Sequence, residues 1–138
     1  MNKLKYVFYK MLGFKVLLRK YFKFIESDYS FVETEDKNLT IPEWLKRGIA
    51  YTNNKKVIVL VDNIRENRFV TIIYVIQSDL KIPIHNEELY YTLESFLNKK
   101  NIGFDANQIT NYSTANGVKE SIEKTAYYIK KYEHELLT

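Results

Sequence analysis

The chain has 138 residues, of which 46% are hydrophobic and 15% aromatic, a composition typical of a packed globular protein and not of a disordered one. It contains no cysteine, which excludes disulfides, thiolate zinc sites and a cysteine nucleophile, and we expect a reducing, cytoplasmic location. The net charge is +4, but residues 1–23 carry seven basic and no acidic side chains, so the remainder has fourteen basic against seventeen acidic residues. A basic start on a mildly acidic body is therefore the main electrostatic feature.

The basic segment also carries an apolar stripe with the spacing of an amphipathic helix. Large apolar residues recur at steps of three and four from Leu4 to Ile25, which predicts a helix over residues 1–26 with a kink or break near Gly13. No uninterrupted apolar stretch is long enough for a signal peptide or a membrane span, so we expect neither. The positive charges of this segment are Lys3, Lys5, Lys10, Lys15, Arg19, Lys20 and Lys23.

This basic surface has three interpretations. The apolar stripe can pack on a sheet and leave the lysines in solvent. The helix can instead lie on an anionic membrane surface with its apolar side inserted. The lysines can also contact nucleic-acid phosphates while neighbouring aromatic rings stack on bases. A sheet that is apolar on both faces needs such a stripe as cover, which favours the first interpretation.

The centre of the chain predicts that sheet. Residues 27–36 predict a loop and a short strand, and residues 40–48 predict a helical turn because Thr40 and Glu43 have capping-box spacing. Because the connections are short, consecutive strands are expected to be antiparallel neighbours, in a meander of three to four strands over residues 29–77. The remaining strands of this meander are predicted at residues 49–52, 56–62 and 68–77.

The last two strands are apolar at both alternating sets of positions, which predicts that both faces of the sheet are covered. Two later helices are expected to supply cover, one capped by Asn86 with Leu89, Leu93, Phe96 and Leu97 as its apolar stripe, and a final helix over residues 115–136. The predicted fold class is therefore α+β: one domain over residues 1–138, with an N-terminal helix, an antiparallel meander and two C-terminal helices, over residues 86–137, that pack on the sheet.

No pattern in the chain matches a known catalytic or cofactor site. His85 and His134 are solitary, and neither has a carboxylate or a second histidine at metal-ligand spacing. The segment NGVKES at residues 116–121 lacks the second glycine and the ending of a phosphate-binding loop. We therefore expect a protein that is not an enzyme, with no catalytic residue, no metal and no cofactor.

The segment DNIREN, residues 62–67, separates the two most apolar strands. Such residues are ordinary in hairpin loops, and their charges keep an apolar hairpin from pairing edge to edge. Alternatively, the two strands hold a recognition tip whose charged groups select a protein partner, with Asp62, Arg65, Glu66 and Arg68 as the candidate binding residues.

The order of these elements resembles that of small bacterial immunity-like proteins, which neutralise polymorphic toxins. The resemblance rests on YFKFIESDYSFVE, on RGIAYTNNKKVIVLVDNIRENRFVTIIYV and on the C-terminal VKESIEKTAYYIKKYEHELL. The residues closest to that pattern are Tyr51, Asp62, Arg65, Glu66 and Asn67. The resemblance implies a toxin, or another product of a neighbouring gene, as partner. The basic N-terminal segment departs from the pattern, because immunity proteins are commonly acidic.

The sequence thus predicts a non-enzymatic protein-binding module of immunity type, which neutralises a bacterial toxin by occlusion. The alternative is an accessory protein that binds an anionic membrane surface or nucleic acid through its basic N-terminal segment. A homodimer formed through a sheet edge is a further alternative.

Overall fold

The computed structural model describes residues 13–45, 47–63, 66–103 and 114–138. The helices of these ranges lie before, within and after the sheet. In chain order they are α1 (Phe14–Tyr21), α2 (Lys23–Tyr29), α3 (Pro42–Leu45), α4 (Leu93–Lys99), α5 (Ala115–Lys131) and α6 (Glu133–Leu137). Helices combined with an antiparallel sheet confirm the predicted α+β class.

The sheet is an antiparallel meander in which every strand pairs with its neighbours in the chain. The two long strands pair along their whole length, from Lys56 opposite Val75 to Asn63 opposite Arg68. The two edge strands have three residues each. The five strands are β1 (Val32–Thr34), β2 (Gly48–Thr52), β3 (Lys56–Asn63), β4 (Arg68–Val75) and β5 (Tyr90–Thr92).

Both faces of the sheet are buried, as the two apolar sets of positions predict, and five of the described helices contribute to the core on the same face. One face contributes Ile58 and Leu60 to a core that also contains the buried side chains of α1, α2, α4, α5 and α6. On the other face, Val57 and Val59 pack in a second cluster with partly buried residues of two connecting segments, Leu39, Ile76 and Ile82. The expectation that later helices provide the cover is therefore correct for one face, and loop residues pack on the other.

The N-terminal apolar stripe is part of the core where the structure describes it. Phe14, Leu18, Phe22 and Ile25 are all buried against the sheet. In the described part of the predicted helix over 1–26 the break lies at Phe22, where the backbone leaves helical geometry (φ −108°, ψ 14°) and separates α1 from α2. Helix α1 begins directly after Gly13, whose φ of 63° suits glycine best. Residues 1–12 lie outside the described ranges.

Residues 29–77 form four strands, as expected, and the sheet has a fifth strand beyond them, at Tyr90–Thr92, where a helix was expected. Asn86 does not cap a helix. Its side-chain Oδ1 accepts from the Glu88 N–H at 3.0 Å and its carbonyl accepts from the Tyr90 N–H at 2.8 Å, so it forms a turn that leads into β5. Helix α4 begins later, where the Thr92 Oγ1 accepts from the Ser95 N–H (3.1 Å) and the Ser95 Oγ accepts from the Thr92 N–H (3.2 Å).

The predicted final helix over 115–136 is also divided, at Tyr132, into α5 and α6. Thr114 caps α5 by accepting from the Gly117 N–H at 3.0 Å. At the other end, the Lys56 ammonium of β3 donates to the carbonyl oxygens of Glu135 (3.3 Å) and Leu136 (3.2 Å) in α6. Burial lowers the pKa of this lysine. The ammonium satisfies carbonyls that a helix end leaves free and so attaches α6 to the sheet.

Candidate functional site

The tip of the β3–β4 hairpin is built by local hydrogen bonds. The Asn63 Oδ1 accepts from the Glu66 N–H at 3.1 Å, which closes the turn. Asn67 has a φ of 53°, a conformation that asparagine tolerates better than most residues. The turn therefore brings Glu66 beside Arg68, the first residue of β4. Arg65 lies outside the described residues.

Arg68 is held between two carboxylates. Its Nε lies 2.6 Å from the Glu66 Oε2 and its Nη1 lies 2.5 Å from the Glu94 Oε2. Partial burial acts to lower the pKa of the guanidinium, but the two carboxylates raise it by more, and the net shift is upward. Because Glu94 belongs to α4, this pair of contacts fixes the hairpin tip against the helical layer. The charged groups of Glu66, Arg68 and Glu94 are thus held in one arrangement.

The structure does not bring all four predicted tip residues to the surface. Asp62 is only 1% exposed, and it lies on the same face of β3 as the buried Ile58 and Leu60. Its backbone N–H donates to the Arg47 carbonyl at 3.1 Å. Asp62 therefore supports the tip from inside, and Glu66 and Arg68 are the predicted residues that the structure places together at the surface.

Glu94 is a member of this cluster that the sequence interpretation missed. It lies 26 residues after Arg68, and β5 and α4 carry it next to the hairpin. Its place in the first turn of α4, two residues after the Thr92 cap, is the signal that could have identified it. A carboxylate is favoured at that position of a helix and is then available to a neighbouring cation.

The space behind the tip is small. A cavity of about 20 Å³ lies behind Arg68 and is lined by Thr71, Thr92 and Thr125 among others. This volume suffices for about one water molecule. Within the described residues, no group of three or more His, Asp or Glu side chains could hold a metal ion. The described part of the tip is therefore a charged surface and not a ligand pocket.

The described basic residues near the N-terminus do not act as one free surface. The Arg19 guanidinium donates to both Glu33 oxygens, at 2.7 and 3.0 Å, and this hydrogen bonding lowers the pKa of Glu33. Lys20 and Lys23 are exposed, and Lys15 is partly buried. The remaining members of the predicted basic surface, Lys3, Lys5 and Lys10, lie outside the described residues.

Two buried tyrosines have a consequence for stability at alkaline pH. Tyr51 and Tyr74 lie on opposite faces of the sheet, and neither hydroxyl has a hydrogen-bond partner in the described part of the chain. Burial raises the pKa of both phenols. The folded protein therefore keeps them protonated at a pH where the unfolded chain ionises them.

The free energy of unfolding is expected to fall as the pH rises above about 10, where unfolded tyrosine ionises. The unfolded state then binds fewer protons than the folded state. Each buried phenol that stays protonated therefore lowers the free energy of unfolding by about 1.4 kcal/mol per pH unit. The contribution of Tyr51 and Tyr74 to the free energy of unfolding is fully present below about pH 10 and decreases as the pH rises above that value. Denaturant titrations followed by tyrosinate absorbance measure this slope. Tyr51→Phe with Tyr74→Phe should make the slope shallower, and the exposed Tyr127→Phe should not.

No helix in the described ranges is both long enough and apolar enough to cross a membrane. Comparison of the chain with protein-family models, with curated proteins and with solved structures found no match.

Proposed function

We propose that this chain is a non-enzymatic protein-binding module of immunity type that neutralises a bacterial toxin by occlusion. The observation that carries the proposal is the fixed charge arrangement at the hairpin tip, where Arg68 is held between Glu66 and Glu94. Charged groups that are already oriented select a partner and accelerate its association. Their side chains lose little conformational entropy when the complex forms. The tip lies on two fully paired eight-residue strands, so it is a stable platform for such contacts.

The alternative proposal is an accessory protein that uses its basic N-terminal segment on an anionic membrane or on nucleic acid. The exposed Lys20 and Lys23 support it. The apolar stripe of residues 14–25 is buried in the core, however, and cannot enter a membrane while the protein is folded. Within the described residues this alternative thus depends on lysine charges, and such binding would weaken steeply as the salt concentration rises.

A homodimer through a sheet edge is a weaker proposal. Each edge strand has three residues, so a second copy that pairs there would form few hydrogen bonds. Short edge strands are one of the ways in which proteins avoid such pairing. We therefore assign recognition to the tip and not to the edges.

The replacement of Arg65 and Glu66 by alanine is expected to weaken the complex with the toxin, sought as the product of a neighbouring gene, by at least about tenfold. Stability should change by no more than about 1 kcal/mol, because the Glu66 side chain is half exposed and its ion pair lies at the surface. Co-purification and titration calorimetry measure the affinity, and denaturant unfolding measures the stability.

The matched control is the replacement of Arg19 and Glu33 by alanine. This variant also removes one arginine and one glutamate, leaves the net charge unchanged and acts at the β1 edge of the sheet. It should bind the partner as the unaltered protein does. An equal loss of affinity in both variants would contradict a role for the tip. The absence of any complex, and of any rescue from toxicity, would overturn the immunity proposal.

A further inference from the structure

A second surface lies on the segment that joins β4 to β5, residues 76–89. This segment is held in place by its own hydrogen bonds, among them the Leu80 N–H to the Gln77 carbonyl at 3.0 Å and the Asn86 N–H to the Pro83 carbonyl at 3.1 Å. It exposes two large apolar side chains, Leu80 at 49% and Ile84 at 52%. Leu80 also has a φ of 60°, which is uncommon for a residue other than glycine and costs energy.

A cleft of about 270 Å³ begins where this segment ends. Its lining includes Glu87 and Glu88 from the segment, Tyr91 from β5, and Phe96 and Lys99 from α4. The rings of Tyr91 and Phe96 stack with their centroids 6.3 Å apart. The volume is below the roughly 300–1,000 Å³ of pockets that hold small molecules. It is suited to a side chain of another protein.

The charges of the cleft favour a cation. Glu87 and Glu88 are exposed, and neither carboxylate forms a salt bridge with another described residue. The aromatic surface beside them already carries one cation of the chain itself, because the Lys100 ammonium lies 5.2 Å from the centre of the Phe96 ring and 5.4 Å from that of Tyr132. Lys99 contributes a positive charge to the wall formed by α4. The negative charge of the cleft comes from Glu87 and Glu88.

We propose that this cleft receives an arginine side chain of a partner protein. Arginine fits better than lysine because its flat guanidinium can stack on a ring and donate to carboxylates at the same time. The site goes beyond the hairpin tip and shares with the proposed function only the premise that the chain binds a protein.

The test is an NMR titration of the full chain with the dipeptide acetyl-Leu-Arg-amide. Shifts are expected at Glu87, Glu88, Tyr91 and Phe96, and the same dipeptide with citrulline in place of arginine should give at least about fivefold weaker binding, since citrulline keeps the shape but loses the charge. Shifts that spread over the whole surface, no shifts, or equal binding of the two dipeptides would overturn the proposal.

Paired variants sharpen the result. Glu87→Gln with Glu88→Gln should weaken binding of the arginine dipeptide by at least about fivefold. Glu35→Gln with Glu120→Gln removes the same two charges from exposed positions outside the cleft and should leave binding unchanged. An equal effect of both pairs would mean that net charge alone attracts the dipeptide, which would overturn the cleft as the site. The dipeptide test does not involve the toxin, so failure to find a toxin complex would not contradict binding of arginine in the cleft. Failure of the dipeptide to bind would likewise not contradict the role proposed for the hairpin tip.

Discussion

Gly48→Ala is expected to destabilise the protein by about 3 kcal/mol or more. Gly48 begins β2 opposite Val61 of β3, and a Cβ atom at this position would lie within 3 Å of three backbone atoms of β3, the carbonyl carbon and oxygen of Leu60 and the Cα of Val61. These are backbone atoms of a central strand, so no side chain can rotate away to make room. The two strands would have to separate where β2 starts, and the ladder and both apolar clusters would loosen with them.

Gly103→Ala is the matched control, because no atom lies within 4 Å of a Cβ built there. Its effect should stay within about 1 kcal/mol, since the alanine mainly restricts the unfolded chain. Urea unfolding of the two variants, with the unaltered protein beside them, measures the difference. Equal unfolding midpoints for Gly48→Ala and Gly103→Ala would contradict the close approach of β2 and β3 at Gly48.

Phe22→Ala is expected to cost about 3–5 kcal/mol, the range for a fully buried aromatic side chain. The Phe22 side chain is 0% exposed, and its ring stacks on that of Phe69 with centroids 6.4 Å apart. It lies at the break between α1 and α2, so its loss would leave a cavity where both helices meet the sheet. Two-state urea unfolding provides the measurement.

Val16→Ala is the corresponding surface change in the same basic segment. Val16 is 63% exposed on α1, and its replacement should alter the free energy of unfolding by no more than about 0.5 kcal/mol. A large effect for Phe22→Ala and a small one for Val16→Ala would identify the stripe as core. Similar small effects for both would contradict that assignment and would favour the membrane or nucleic-acid alternative.

The elements that the sequence predicted well are those with a long repeating pattern. The spacing of Phe14, Leu18 and Ile25 and that of Val118, Ile122 and Ile129 reflect one buried side of a helix, and all six side chains are buried. Such apolar spacing is maintained even where the helix axis bends or the helix is briefly interrupted. The breaks at Phe22 and Tyr132 could not be predicted from it, because each interrupts a helix without interrupting the apolar stripe.

Strand β5 could not be recognised by periodicity, because three residues contain too little alternation. The preceding Asn86, Glu87 and Glu88 have the chemistry of a helix start, and the same asparagine oxygen that can cap a helix closes a turn here. Two other features did point to the observed arrangement. Tyr90, Tyr91 and Thr92 favour strands, and Thr92 with Ser95 has the spacing of a reciprocal cap.

The candidate site was predicted in part. Alternation along β3 assigns Asp62 to the face of Ile58 and Leu60, so its burial could have been deduced from the strand itself. The contact between Arg68 and Glu94 could not, because it depends on β5 and on the start of α4. Local chemistry thus identified the hairpin tip, and the fold supplied the carboxylate that fixes it.

The order of strands in the sheet has a consequence for how the chain folds. Each strand pairs with one that is adjacent in sequence, so the sheet can form by successive short loop closures, which are fast. The helical layer is different, because Tyr21 donates to Glu123 and Lys130 pairs with Asp28, each across 102 residues. The contacts of the helical layer therefore close much longer loops than those of the sheet, and we expect them to form more slowly than the hairpins.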